Sequence, residues 1–428
     1  MELDQLMEFA KKLDKQILDA GYLDEEYSVT NLSLKNRDKL ILFKLKKSEE
    51  ILCYTNLITT RRDVYKLFDK HSDEELYNYV NKAIDIYPPD INVVDFRNYF
   101  EEVTPDLSVL PFIKYYKEDG GYYLTSSIYI ACVDNICNSS FHRTMFLTRN
   151  EAVLRVVPRH LHYIMNSYLE RDEDTPVAMI LGVHPLQELA AALSPPLGVF
   201  EVYVGVNLTR DPKICRTPLY NIPIPADASI VIEGVILKNK KAPEGPFTDI
   251  LSLLDPRREQ PVFRAEAMYF NKKKPLIYHA IVPGLWEHRF LMGFPREIAI
   301  YNYVKKIVPG LKSVRLTDGG SGWLHAVLSI KQLSPGDARL AGIAAIYAHP
   351  SVKHVVVVDD DIDIDNPEMV EWAIATRMKS GEDIIILRDI RGSTLDPRSK
   401  DGVGDKAIFI AVKPFDEPWD KYKRVTVP

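Results

Sequence analysis

Four short stretches of this chain carry side chains suited to chemistry. Asn138-Ser-Ser-Phe-His-Arg143 follows a β-rich run and places an amide and a guanidinium five residues apart. Pro158-Arg159-His160 stands where a helical pattern begins, and Gly198-Val-Phe-Glu201 sets one carboxylate among apolar neighbours. Read singly, these describe a turn with a solvated arginine, a cap-region histidine and a strand residue facing water. The fourth, Ala242-Pro-Glu244-Gly-Pro-Phe-Thr-Asp249, is sharper, because a Gly-Pro turn fixes the backbone between two acids. Two carboxylates on one wall with an arginine nearby separate in pKa: the arginine keeps one ionised, and the less solvated one retains a proton for delivery.

The elements that must hold these residues follow from apolar periodicity. Residues 3 to 18 read as an amphipathic helix, and Leu40–Phe43 and Ile51–Tyr54 as short strands. Tyr87-Pro-Pro-Asp90 reads as a linker, since consecutive prolines suit neither helix nor central strand. From Gly121 to about residue 285 the pattern is antiparallel β, with strands at 122–131, 144–147, 152–157 and 229–236. Helices over 159–170 and 185–193 interrupt it. Beyond about residue 313 the pattern becomes α/β: Val355–Val358, a helix from Pro367 to Met378 and Ile384–Leu387 read as a βαβ unit. The expectation is a multidomain α+β protein: an α/β domain over 1–95, a β-barrel domain over 96–310 and an α/β domain over 311–428.

Bulk properties exclude several classes. With 428 residues, 46% hydrophobic and 27% charged, the chain has the makeup of an ordinary globular protein. A net charge of −6 argues against a nucleic-acid partner or a membrane surface, which call for a dominant basic field. No apolar run reaches the roughly 20 residues of a membrane span, and the N-terminus lacks the pattern of a signal peptide. Cys53, Cys132, Cys137 and Cys215 are too few and scattered for a disulfide framework, so a cytoplasmic location is expected.

In their order and separation, Asn138, Arg143, His160, Glu201, Glu244 and Asp249 resemble the active site of the UbiD decarboxylase family. Further text is similar to that family: Cys215-Arg-Thr217, Ile224-Pro-Ala226, Ile232-Glu-Gly234, Val282-Pro-Gly284, Gly319-Gly-Ser-Gly322, Val358-Asp-Asp-Asp361, Glu371-Trp-Ala373 and Thr376-Arg-Met378. The resemblance covers residues 95 to 415 or so. It implies a middle domain like the split barrel of flavin reductases and a prenylated FMN cofactor. It also implies a Mn2+ (or Mg2+) ion joining the cofactor phosphate to Asn138, His160 and Glu201, with a K+ ion nearby. Ser140, Phe141, Arg143, Arg159 and Lys406 are the further cofactor contacts it implies, and Arg143, Glu244 and Asp249 the catalytic network, with Asp249 as the proton donor.

The resemblance also implies a flavin prenyltransferase as cofactor supplier and a dimer-based homo-oligomer. The chain departs from the family in Ser139-Ser140, where a glycine is usual, in His142, in Asp249 where many relatives have Glu, and in Arg216. The Asn-Ser-Ser-Phe-His-Arg text and Pro283-Gly-Leu-Trp-Glu-His288 look most like the archaeal branch, in which trans-anhydromevalonate 5-phosphate is decarboxylated to isopentenyl phosphate. His142, His288 and Arg289 are then candidates for holding a substrate phosphate. The alternatives are an aromatic or acrylic acid decarboxylase of the same family, a silent flavin-binding member, and a metal-dependent nucleotide-sugar transferase using Val358-Asp-Asp-Asp-Ile-Asp363. His279, His325, His349 and His354 have no evident partners in the sequence.

Overall fold

The computed structural model describes residues 1–425, which form two compact units. The first comprises Met1–Leu67, Tyr79–Asp249 and Leu253–Leu291; the second comprises Phe68–Asn78, Ile250–Ser252 and the chain from Met292. It is a mixed α+β fold, as the alternation of patterns predicts.

The first unit holds two principal sheets. Gln16–Leu23, Lys39–Leu45, Ile51–Thr55 and Leu276–His279 make a four-stranded sheet. Its inner strand 39–45 is buried from Leu40 through Phe43, which is why Leu40-Ile41-Leu42-Phe43 is apolar at every position. The helix at the start ends at Lys12, so Ile17 and Leu18 belong to the edge strand and not to the helix expected over 3–18.

The larger sheet has nine strands among the described residues, with every pairing antiparallel. Its path begins at Tyr123–Leu124 and ends at a hairpin made of β1 (Ile128–Val133) and β2 (Ile136–Phe141). The split barrel expected here is thus a sheet whose hydrogen-bonded path is open at both ends. At its centre lie two long strands, β3 (Ile230–Glu244) and β4 (Arg258–Asn271), whose register shifts at Glu233/Gly234 and again between Ile236 and Lys241. Such irregularities bend a ribbon. Gly234 is required at the first: a Cβ there would lie 2.0 Å from the Arg264 carbonyl oxygen. Helices α1 (His160–Glu170) and α2 (Glu201–Thr209) pack on the β1–β2 hairpin.

The turn at Asp134-Asn135 sets Cys132 opposite Cys137, and the two form a disulfide. Four cysteines too few and scattered for a disulfide framework thus still supply one bond, because a spacing of five is what a tight hairpin needs to bring two cysteines face to face.

In the second unit a five-stranded sheet runs in the order Leu311–Leu316, His325–Ile330, His354–Asp359, Val403–Ala411, Ile384–Arg391. The βαβ unit expected over 355–387 is corrected by this order. Strand 384–391 lies at the edge, antiparallel to 403–411, and does not neighbour 354–359. The true βαβ unit is 325–330 and 354–359, parallel and joined by α3 (Asp337–Ala348). The acids at the end of strand 354–359 are occupied: Arg377 donates to Asp359 (2.8 Å) and, in a two-pronged bond, to Asp361 (2.7 and 2.6 Å). That pairing leaves the metal-binding acidic motif of a sugar transferase without support.

Candidate active site

Alternation along β2 puts Asn138 and Ser140 on one face of the hairpin. Asn138 is buried, and its Nδ2 donates to Glu201 Oε1 at 2.9 Å. The backbone N–H of Ser139 donates to the other oxygen, Oε2, at 2.7 Å. Glu201 is not the solvated strand residue its apolar neighbours suggest; it is the first residue of α2 and is buried. His160 is the first residue of α1, and its Nδ1 lies 3.6 Å from Glu201 Oε1. Amide, imidazole and carboxylate therefore meet where two helices begin. Unpaired N–H groups and the positive end of each helix dipole make such a place receptive to a phosphate. An oxygen-and-imidazole donor set of this kind suits Mn2+ or Mg2+, so the side chains present fit a cation shared with a phosphate.

Arg143, just past the end of β2, anchors a second cluster. Its Nε and Nη2 donate to the two oxygens of Glu244, each at 2.8 Å, and Nη2 donates also to Asp255 Oδ2 at 2.8 Å. Its guanidinium lies 4.5 Å over the ring of Phe247. Burial acts to lower the pKa of Arg143, but Glu244 and Asp255 outweigh it and raise it. At Asp255 burial acts upward, while Arg258 and Arg143 overcome it and hold the carboxyl below its ordinary value. Asp255 was not foreseen. It reaches the site because Glu244 pairs with Arg258 across the β3–β4 ribbon, which sets Asp255 beside the same guanidinium.

Asp249 stands at the end of the same loop, buried, where its Oδ1 accepts from the Leu253 N–H at 3.0 Å. The bonds described for Arg143 run to Glu244 and Asp255, so the second carboxylate on the guanidinium is Asp255. The loop itself is braced by Asp119, which accepts from Thr248 N (2.8 Å) and Thr248 Oγ1 (3.0 Å). Next to it, a Cβ on Gly120 would lie 2.2 Å from the Gly245 oxygen, so this turn must be glycine for the loop to close on it.

Ser140 and Phe141 lie on β2, and Arg159 is the exposed residue immediately before α1, where its side chain makes no cap hydrogen bond. Lys406 sits in the second unit on strand 403–411, and its ammonium donates to the carbonyls of Pro350 and Val352. Burial lowers its pKa to about 8. His288 accepts from the Gly284 N–H at 3.0 Å, and burial lowers it to about 4.

Residues 92–286 match the 3-octaprenyl-4-hydroxybenzoate carboxy-lyase Rift-related domain of UbiD, and residues 289–411 match its C-terminal domain. The chain belongs to the UbiD family. Among its relatives, the anhydromevalonate phosphate decarboxylase of Aeropyrum pernix is 39% identical over the whole of this chain and 97% of its own length. The enzyme of that name from Methanothermobacter thermautotrophicus is 37% identical, over 91% of this chain and 92% of its own. Among solved structures, the UbiD-class enzyme HmfF from Pelotomaculum thermopropionicum in complex with FMN is similar with a TM-score of 0.94 and 30% identity, covering 100% of this chain and 97% of that one. UbiD membership makes the chain a decarboxylase of the prenylated-flavin class. No helix among the described residues is long and apolar enough to cross a membrane.

Proposed function

We propose that this UbiD enzyme converts trans-anhydromevalonate 5-phosphate to isopentenyl phosphate and CO2. The observation that carries the substrate is the full-length likeness to the Aeropyrum pernix decarboxylase. In this reading Asn138, His160 and Glu201 would hold a Mn2+ or Mg2+ ion together with the phosphate of prenylated FMN, and a K+ ion would also be bound. Ser140, Phe141, Arg143 and Arg159 of the first unit would complete the cradle. The flavin, when bound, supplies the electron sink that no side chain offers to a carbanion left by departing CO2.

The protein's own part is orientation and proton delivery. Arg143, fixed by two carboxylates, presents its remaining edge to the substrate carboxylate. In the cluster that touches it, three guanidiniums (Arg143, Arg155, Arg258) face two carboxylates (Glu244, Asp255), and this surplus of one positive charge favours an incoming acid. Asp249 delivers the proton that replaces CO2. The enzyme would work in the cytoplasm, where a prenyltransferase supplies its flavin. A dimer-based homo-oligomer is supported by α3, whose Leu340, Ile343 and Tyr347 expose an apolar stripe, with Tyr303 stacked on Tyr347 at 4.9 Å.

The test is to incubate flavin-loaded protein with anhydromevalonate phosphate and with a cinnamate-like acid side by side. CO2 and isopentenyl phosphate are expected from the first alone. CO2 from the cinnamate only would overturn the substrate, and CO2 from neither would overturn the activity.

A further inference from the structure

His142 continues the alternation of β2, so it follows Asn138 and Ser140 along one face, and the three side chains form a line. Ser140 Oγ lies 2.8 Å from Asn138 Oδ1 and 2.9 Å from His142 Nε2; His142 Nδ1 lies 2.8 Å from the carbonyl oxygen of Arg155. The direction of each bond can be worked out from the far end. A carbonyl only accepts, so Nδ1 carries the proton. His142 is buried against Tyr129, with ring centres 5.9 Å apart, and burial lowers its pKa to about 4, so near neutrality the ring is uncharged and Nε2 is bare. A bare Nε2 can only accept, and the neighbour able to give it a proton is the Ser140 hydroxyl.

Ser140 has one proton. Once that proton points at His142, Ser140 offers Asn138 only lone pairs, and the side of the Asn138 amide that satisfies lone pairs is its NH2. The observed amide faces the other way: Nδ2 points at Glu201 and Oδ1 at Ser140. In that arrangement Ser140 must donate to Asn138, and His142 Nε2 has no donor. Turning the amide over satisfies every member of the line and brings Oδ1 to Glu201. Two oxygens side by side repel unless a cation lies between them. The line and a cation therefore favour the same amide orientation, and each makes the other more favourable.

We propose that His142 is a positioning residue: acting through Ser140, it turns the amide oxygen of Asn138 toward Glu201 and tightens the grip on a divalent cation. This deepens, and rests on, the cation reading of the Asn138–His160–Glu201 site. The residue types at 140 and 142, where the chain departs from the family pattern, are the ones that make the line.

The test is Mn2+ affinity, read by the loss of the free-ion paramagnetic resonance signal on titration into protein supplied with FMN. His142→Leu and Ser140→Ala should each weaken Mn2+ about three- to tenfold, the size of one neutral hydrogen bond. The double variant should be no weaker than the worse single variant, because both break one line. His142→Gln, which keeps an acceptor near the place of Nε2, should recover most of the loss. Ser140→Ala removes one oxygen and covers the case in which His142→Leu fails to fold. Unchanged affinity in the foldable single variants, or losses that simply add, would overturn the relay. If the unaltered protein binds FMN but takes up no Mn2+, the cation reading itself fails, and the relay with it.

Discussion

Two buried knots of charge lie in the first unit, and they are built oppositely. Around Arg143, three arginines face two carboxylates, and the guanidinium side chain keeps 15% exposure while Glu244 has none. Around His279, one imidazole is caught between Glu188 (2.7 Å) and Glu287 (3.1 Å), with all three side chains at 3% exposure or less. Glu287 also accepts from the backbone N–H groups of Asn56 (2.8 Å), Leu57 (2.7 Å) and Ile58 (3.2 Å), tying that turn to the start of the helix bearing Glu287. The first knot has spare positive charge and an open edge; the second is sealed and rich in acid. Burial and perturbed pKa are common to both, so neither property alone marks a catalytic group. What separates them is whether a member remains able to meet another molecule, and with which sign.

The largest effect should come from Arg143→Ala. It removes the group that orients the substrate carboxylate, and turnover should fall by roughly a thousandfold or more. It also leaves Glu244 buried without its cation, so thermal unfolding should come earlier; full turnover in this variant would mean that the open edge of this knot has no catalytic part. Next is His279→Ala, which strands two buried carboxylates and should cost about 3 kcal/mol of stability in denaturant unfolding. Turnover per folded molecule should stay as it was, and a selective loss of turnover would move this knot to the catalytic side. Asp255→Asn keeps the shape but weakens one charged bond to Arg143, so a loss of about tenfold in kcat with flavin binding retained is expected.

The gentlest probe is pH. Burial alone would strip the proton from His279, but Glu188 and Glu287 outweigh it and raise its pKa to about 10. A group whose pKa is raised on folding stabilises fully below its unfolded value and loses that effect as pH climbs through the folded one. Stability should therefore decline from about pH 6.5 toward pH 10, and His279→Ala should flatten that slope in melting curves. An unchanged slope would mean that His279 does not carry the charge assigned to it.

Much of this was legible in the residues. Alternation marks the strands around 128–131 and 144–154, and the helices beginning at His160 and Pro185 are evident from period and flanking residues, whereas Ile136–Phe141, which reads as a turn, is a strand. Asn138, His160 and Glu201 do converge, and Arg143 does meet Glu244. Asp255 escaped notice although Asp255-Pro-Arg-Arg258 offered an acid beside two bases, because ribbon register decides which partner each meets. The partners of His279 lie 91 and 8 residues away, a separation that only tertiary packing resolves. The reversed edge strand 384–391 was misread because apolar runs carry no sign of direction. Glu201 was misread for a related reason: apolar neighbours suit a buried helix start as well as a strand.

The two bent strands that cross the centre of the large sheet have a mechanical result. Glu244 closes one of them and Arg258 opens the other, directly across from it, with Asp255 only three residues ahead. Any flexing of that arm about its irregular stretch between Ile236 and Lys241 carries both anionic anchors the same way at once. Arg143, in the short link just past β2, is not part of that arm, so such a movement would load both of its holds together.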